Sequence, residues 1–314
     1  MSTELITIKC VNQLNELNFS QDLISEWISF CDVAQTTQKS YNKAVKSFFS
    51  HLKQKNITCP TRNDIINFRD TLLTNHTPAT TRLYLTATKM FIKWLASKGL
   101  CSNFADNVKN AGRAEDFHSR DALTVEEGKL VINSFSGEDI KSIRDKCIMA
   151  LMMTAGLRSI EVVRLNVGDI ERRYGKIFLS VHGKGRAGKV DKVQISPKIK
   201  FLLDKYLNLR GTVRQSDPLF VAISNRNFGQ RLQTQTVSRL AKKSFRTVGI
   251  DSPKITCHSC RHTFATVVLE NGVDISKVQR ALRHRSPLTT EIYRHDLDDF
   301  NNDSTLVAAD ILLC

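Results

Sequence analysis

Two side chains in the last third of the chain have the types and spacing to bind an oxyanion. His258 and Arg261 lie three residues apart in a segment that predicts a helix, so the imidazole and the guanidinium share one face. This pairing suits one anionic oxygen group, because a guanidinium donates charge-assisted hydrogen bonds in a fixed geometry. A single His-x-x-Arg pair is nevertheless common by chance.

Other candidate residues are ambiguous when each is taken alone. Arg158 follows Gly156 in a connection between two predicted helices, where an exposed arginine is the ordinary case. Lys184 has a glycine on each side at a predicted hairpin tip, which is typical of a solvated turn. Tyr293 alone is typical of a half-buried surface aromatic. Their significance depends on the set they form.

Cys257 and Cys260 have the Cys-x-x-Cys spacing of half a zinc site or of a redox pair. No second pair in the sequence completes four ligands, and Arg261 stands where a haem-attachment motif needs histidine. We interpret both cysteines as helix-packing residues.

In their order along the chain, these residues resemble the tyrosine recombinase (phage integrase) family. The match is carried by TAGLRSIEVVRL at 154–165, HGKGRAGK at 182–189, HSCRHTFAT at 258–266 and LRHRSPLTTEIYRH at 282–295. It spans 121–295, and the helical region 20–105 is similar to the core-binding domain of the simpler, Xer-like members. The catalytic residues that the resemblance implies are Arg158, Lys184, His258, Arg261, His284 and Tyr293.

The implied reaction is cleavage and rejoining of DNA through a 3′-phosphotyrosyl intermediate. Tyr293 attacks the scissile phosphate and releases a 5′-hydroxyl, for which Lys184 is the implied general acid. Arg158 and Arg261 supply cationic forks to the charge that gathers on the non-bridging oxygens.

The resemblance also implies the supporting roles. His258 accepts the proton of the Tyr293 hydroxyl, and His284 is a further donor to the phosphate. Glu161, one turn from Arg158, orients that guanidinium. With this many cations we expect no metal, and the sequence has neither a carboxylate cluster nor a phosphate-binding glycine loop, so no cofactor and no ATP are expected.

Two residues depart from the family's pattern. Arg283 stands where the family has glycine before the penultimate histidine, and His284 could be displaced if that glycine serves a close backbone approach. Cys260 stands where leucine is commoner, which is a conservative change at a predicted core position.

The elements that position these residues are predicted to be mainly α-helical, with a small antiparallel β-sheet. Apolar periodicity predicts four helices within 20–105, a helical core-binding (SAM-like) domain, and 106–120 is interpreted as a linker. The expected catalytic domain is 121–295. Its predicted helices cover 142–155, 196–209, 234–248, 257–270, 275–282 and 288–293, with one near 124 and a hairpin of strands at 176–181 and 192–196.

The tail, 296–314, has aspartates before an apolar run, which predicts a short amphipathic helix. The resemblance implies that this helix docks on a neighbouring protomer. Docking on its own domain is the alternative.

The net charge of +15 in 314 residues favours a polyanionic partner. The excess lies in two regions, +6 in 20–105 and +15 in 121–295, whereas 296–314 carries −5. The sequence has no amphipathic basic stretch of the kind that binds membranes. It also shows neither a signal peptide nor an apolar run long enough to span a membrane. The eight scattered cysteines fit a reducing cytoplasm.

These observations predict a site-specific recombinase that acts on double-stranded DNA as a homo-tetramer bound to two sites. Integration, excision and resolution of DNA elements all remain open, as do accessory proteins. The alternatives are a type IB topoisomerase-like nicking-closing enzyme and a DNA-binding protein that lacks catalysis.

Overall fold

The computed structural model describes residues 6–9, 16–19, 21–112, 121–183 and 190–283. The chain divides into two compact units, 1–116 and 117–314. Within the described residues the predicted class is confirmed, since the elements are mostly helices with short antiparallel strands. No helix among them is both long and apolar enough to cross a bilayer.

Where the structure describes it, the first unit contains four helices and a small hairpin. The helices are α1 (Gln21–Phe30), α2 (Gln35–Gln54), α3 (Arg62–Asn75) and α4 (Pro78–Ser97). The hairpin pairs β1 (Ile6–Lys9) with β2 (Glu16–Phe19) and was not predicted.

Local sequence signals explain where two of these helices begin. Thr61 and Asp64 form a capping box at the start of α3. The Thr77 side chain accepts a hydrogen bond from the Thr80 N–H, and Pro78 occupies the first turn of α4, where its missing N–H costs nothing. The starts of α3 and α4 are therefore determined by residues close to them in the sequence.

An aromatic core joins the four helices. Trp27 packs edge-to-face on Phe91, and Phe48 packs in the same way on Phe68. All four side chains are buried, so each helix turns an apolar face inward.

The predicted linker is irregular but packed where the structure describes it. Val108 is buried in the core of the first unit. Lys89 Nζ donates to the Val108 carbonyl at 2.6 Å, which fixes this segment along α4.

The second unit is built around a helix that is apolar on nearly every side. The described helices are α5 (Val125–Asn133), α6 (Ile140–Thr154), α7 (Ser159–Arg164), α8 (Pro197–Arg210), α9 (Thr234–Thr247), α10 (Ser259–Glu270) and α11 (Ile275–Leu282). In α6, Ile148, Met149 and Leu151 are completely buried. It packs against α8 and α10, and so forms the centre of the unit.

Along the chain, a three-stranded antiparallel sheet follows α7 and precedes α8. Its strands are β3 (Ile170–Arg173), β4 (Lys176–His182) and β5 (Val190–Ile195), with β4 in the middle. The predicted hairpin is β4–β5, with Ile177 opposite Ile195. The edge strand β3 was not predicted, because three of its four residues are charged, as is common at sheet edges.

In the second unit, the helices α6, α8, α9, α10 and α11 begin and end within two residues of their predicted bounds. The predicted helix over 288–293 and the tail at 296–314 lie outside the described residues.

Candidate active site

Gly156 ends α6 in a conformation that side chains disfavour. Its φ is +58°, and a Cβ there would lie 2.7 Å from Phe264 Cδ1 and 3.0 Å from Leu282 Cδ2. Only glycine fits this close approach, which turns the chain from α6 into α7. The turn places Arg158 at the N-terminus of α7.

Arg158 and Glu161 hold each other across the first turn of α7. The Arg158 N–H donates to Glu161 Oε2 at 2.9 Å, and Arg158 Nη1 donates to Oε1 at 2.8 Å. Arg158 retains 27% of its side-chain exposure, whereas Glu161 retains none. The carboxylate is therefore an internal anchor, and the guanidinium faces outward from it.

Arg261 is among the most deeply buried side chains, with 1% exposure. From α10 its Nη1 donates to the Gly156 carbonyl at 2.5 Å, and its Nη2 donates to the Leu282 carbonyl. These bonds tie the ends of α6 and α11 to α10. They also fix the direction of the guanidinium before any ligand arrives, so little reorganisation is needed on binding.

His258 lies at the start of α10 and is exposed. Its ring packs edge-on against His262 at 5.1 Å between centroids. The predicted helix began at Cys257, but the observed one begins at Ser259, because the chain makes a tight turn at Thr256 that leaves His258 as the N-cap.

One cavity of about 490 Å³ brings these residues together, since Arg158, His258 and Arg261 all line it. Two guanidiniums and an imidazole that line one cavity can bind a phosphodiester and stabilise added negative charge on its oxygens. Lys242 of α9 also lines the cavity and was missed by sequence reasoning, as no motif marks it.

The two cysteines of the Cys-x-x-Cys pair differ in surroundings. Cys260 is fully buried, and burial raises the pKa of its thiol well above the ordinary value. Cys257 borders the cavity, with its Sγ 3.9 Å from Met152 Sδ. Among the described residues no group of three or more His, Cys, Asp or Glu side chains could hold a metal ion.

Arg283, noted above only as a departure from a pattern, reaches Glu161 from the other side. It follows α11 in the left-handed conformation, with φ +57° and ψ +39°. Its Nη2 lies 2.7 Å from Glu161 Oε2, and its side chain is 5% exposed. Since the two residues are 122 positions apart, no local pattern could have revealed the contact.

The electrostatics of Glu161 follow from these neighbours. Burial by itself raises the pKa of this carboxyl group. The charge and hydrogen bond of Arg283, together with those of Arg158, outweigh burial and leave the pKa below its usual value.

The other predicted site residues, Lys184, His284 and Tyr293, lie outside the described residues. The described chain reaches both ends of the loop that carries Lys184. There Arg164 Nη1, at the end of α7, donates to the Gly183 carbonyl at 3.4 Å.

Comparison with known proteins gives two matching family models. The model described as Phage integrase family matches 123–299, and that described as Phage integrase, N-terminal SAM-like domain matches 19–99. Tyrosine recombinase XerA of Pyrococcus horikoshii is 30% identical over 278 residues, covering 87% of this chain and 89% of the relative. Tyrosine recombinase XerC of Thermodesulfovibrio yellowstonii is 29% identical over 274 residues, covering 82% and 85%.

Among solved structures, the XerH site-specific recombinase bound to palindromic difH substrate aligns with a TM-score of 0.70 and 19% identity. That alignment covers 87% of this chain and 80% of the other. A lambda integrase tetramer bound to a Holliday junction aligns with a TM-score of 0.65 and 17% identity, covering 87% and 75%. At these identities the likeness concerns the fold.

Proposed function

The chain belongs to the phage integrase family and is a site-specific tyrosine recombinase, and from this premise we propose that Arg158, His258 and Arg261 bind the scissile phosphate of DNA. The observation that carries the proposal is their convergence on one cavity. Cleavage passes through a pentacoordinate phosphorus whose non-bridging oxygens gain charge, so fixed cations stabilise the transition state more than the ground state.

The nucleophile in this proposal is Tyr293. Its hydroxyl oxygen bonds to phosphorus, the bond to the 5′ oxygen breaks, and a 3′-phosphotyrosine and a 5′-hydroxyl result. His258 takes the phenolic proton and Lys184 gives one to the leaving oxygen, so the reaction is balanced. His284 adds a hydrogen bond to the phosphate.

The same chemistry explains why neither a metal nor ATP is needed in the proposed reaction. The phosphotyrosine keeps the energy of the phosphodiester, and the 5′-hydroxyl of another strand attacks it to rejoin the DNA. The cationic side chains supply the charge stabilisation that a metal ion supplies in other nucleases.

Glu161 has a positioning role in this proposal. It contacts Arg158 through both a side-chain and a main-chain hydrogen bond, and it is completely buried. It therefore acts on the phosphate through Arg158 and touches no substrate itself.

The wider assembly is proposed from family membership. The helical domain at 20–105 and the catalytic domain at 121–295, joined by the linker at 106–120, bind double-stranded DNA at a specific site. A homo-tetramer holds two sites, and the tail at 296–314 docks between protomers. We place the reaction in the cytoplasm, where the protein has access to DNA and where thiols such as those of the buried Cys147 and Cys260 stay reduced.

The two alternative functions are less favoured, since the relatives found by comparison are recombinases. A nicking-closing enzyme uses the same cleavage step without exchange of partners. If the chain were a non-catalytic DNA-binding protein, the cationic cavity would have no catalytic function.

The test is a DNA site nicked next to the cleavage position, which traps the covalent intermediate because the leaving fragment diffuses away. A covalent protein–DNA adduct should form in EDTA without ATP and should be absent from Tyr293→Phe. Arg158→Ala and Arg261→Ala should each lose at least ~100-fold in the rate of adduct formation. An adduct that persists in Tyr293→Phe would overturn the assignment of the nucleophile.

Strand exchange between two labelled sites separates recombination from nicking and closing. Recombinant products support the proposed function. Relaxation of supercoiled DNA without such products supports the first alternative instead.

A further inference from the structure

Arg283 keeps a backbone conformation that favours glycine. Its N–H donates to the Arg280 carbonyl at 3.0 Å and closes α11, at a φ of +57°. Any side chain with a Cβ is strained at such a position, which glycine occupies readily. A strained arginine persists only where surrounding contacts hold it, and such residues cluster at functional sites.

Among the described residues, the guanidinium of Arg283 contacts Glu161 and Gly156 of the candidate active site and Ala281 of its own helix. Nη2 donates to Glu161 Oε2 at 2.7 Å and to the Gly156 carbonyl at 3.1 Å. Nε lies 3.4 Å from Glu161 Oε1, and Nη1 donates to the Ala281 carbonyl at 2.5 Å. With 5% exposure, this cation is not available to DNA.

Glu161 is consequently held from two sides. Oε1 accepts from Arg158 Nη1, while Oε2 accepts from Arg283 Nη2 and from the Arg158 N–H. Arg158 by itself contacts both carboxylate oxygens, through Nη1 and its main-chain N–H, and Arg283 adds a second cation that further fixes the plane and direction of the carboxylate.

The Gly156 carbonyl links the same arrangement to the second catalytic arginine. It accepts from Arg261 Nη1 at 2.5 Å and from Arg283 Nη2 at 3.1 Å. Arg283 therefore contacts the Glu161 carboxylate, which holds Arg158, and the Gly156 carbonyl, which holds Arg261. It contacts neither of the two guanidiniums directly.

We propose that Arg283 is a positioning residue for DNA cleavage, which fixes the Glu161 carboxylate so that Glu161 directs Arg158 into the phosphate-binding cavity. The proposal rests on the assignment of Arg158 to the scissile phosphate. It gives a role in the reaction to the residue that departs from the family's glycine.

The pH dependence provides a readout that a purely structural role would not move. Within the part of the chain that the structure describes, the charged groups facing Glu161 are Arg158 from the start of α7 and Arg283 from the end of α11, and Arg261 of α10 bonds the Gly156 carbonyl that Arg283 also contacts. Removing Arg283 takes away a neighbouring positive charge, so the pKa of Glu161 rises. Cleavage should then fail at a higher pH than in the unchanged protein, as Glu161 takes up a proton.

The experiment measures single-turnover adduct formation at saturating nicked DNA between about pH 5 and 8. Protonation of His258, the proposed proton acceptor, contributes to the acid limb in every variant. The readout is therefore the shift of that limb between the unchanged protein and Arg283→Gly, and the absence of this shift in the Glu161→Gln background. The variants are Arg283→Gly, Arg283→Lys, Glu161→Gln and the double variant Arg283→Gly with Glu161→Gln. Arg280→Ala is the matched control, because it removes one exposed positive charge from the same helix end.

Arg283→Gly should lower the cleavage rate by ~10–100-fold, with DNA affinity changed no more than in Arg280→Ala. Its acid limb should move to higher pH, and Arg283→Lys should recover part of the rate. In the Glu161→Gln background the same glycine change should cost less than about threefold, since residues that act through one another are not additive.

An unchanged rate and acid limb in Arg283→Gly would overturn the inference, as would an equal loss of rate in both backgrounds. A loss of folded protein that is the same at every pH lowers the rate without moving the acid limb, and circular dichroism of each variant across the pH range shows whether acid unfolding contributes to a shift. If Arg158→Ala also cleaved normally, the proposed function itself would fail. If Arg158→Ala is inactive while Arg283→Gly is unchanged, only this inference fails.

Discussion

Replacing Gly156 by alanine tests how closely the site depends on the turn between α6 and α7. The positive φ alone costs a non-glycine residue about 1–2 kcal/mol. The added Cβ would lie 2.7 Å from Phe264 and 3.0 Å from Leu282, and overpacking of this kind costs roughly 1–3 kcal/mol. We therefore expect Gly156→Ala to lower the free energy of unfolding of the second unit by about 2–5 kcal/mol.

Gly249 supplies a matched control, because its φ is +83° and a Cβ there would meet no heavy atom within 4 Å. Gly249→Ala should cost only the backbone term, about 1–2 kcal/mol. Any gain from a less flexible unfolded chain is common to both variants and cancels in the difference. That difference, about 1–3 kcal/mol, measures the clash.

The assay is urea unfolding followed by far-ultraviolet circular dichroism. Both tryptophans, Trp27 and Trp94, belong to the first unit, so the fluorescence transition serves as an internal reference that should not move. Changing Phe264 to leucine in the Gly156→Ala background should relieve part of the clash and so recover part of the lost free energy of unfolding. Equal losses in Gly156→Ala and Gly249→Ala would refute the packing argument.

Three further predictions concern acid stability, salt and assembly. Folding lowers the pKa of Glu161 below its ordinary value of 4.5, so its contribution to stability is present above that value and is lost as the pH falls through the folded pKa. The difference in unfolding free energy between the unchanged protein and Glu161→Gln, measured by urea titration, should therefore become smaller in acid. A difference that grows in acid would contradict this sign. Affinity for DNA should fall steeply between about 50 and 200 mM salt in fluorescence anisotropy, and a flat profile would argue against phosphate contacts. Deleting 305–314 should leave single-site binding intact and reduce cooperative assembly in gel-shift titrations, whereas unchanged cooperativity would exclude docking between protomers.

Helices whose ends are marked by local chemistry could be predicted from the sequence. The turn Thr77-Pro78 fixes the start of α4, and an apolar period of 3–4 residues fixes its buried face. The edge strand β3 escaped prediction because Glu171, Arg172 and Arg173 carry no strand pattern. It is held instead by pairing with β4, a contact that is visible only in three dimensions.

The candidate site shows the same division. Arg158, His258 and Arg261 were selected by their order and flanking residues, and the structure places them on one cavity. The partners that hold them are main-chain carbonyls and residues distant in sequence, such as Gly156 for Arg261, and these have no side-chain signature. The roles of Lys184, His284 and Tyr293 remain predictions.

The double contact of Glu161 constrains how this sequence can change. Losing Arg283 leaves Arg158 still paired with Glu161, whereas losing Glu161 first leaves the buried Arg283 guanidinium and the partly exposed Arg158 guanidinium without their shared carboxylate. Substitutions at these two positions should therefore be tolerated in one order and rejected in the other. In a library that varies both codons, loss of the acidic residue at 161 should be rarer among survivors with arginine at 283 than among survivors with glycine there.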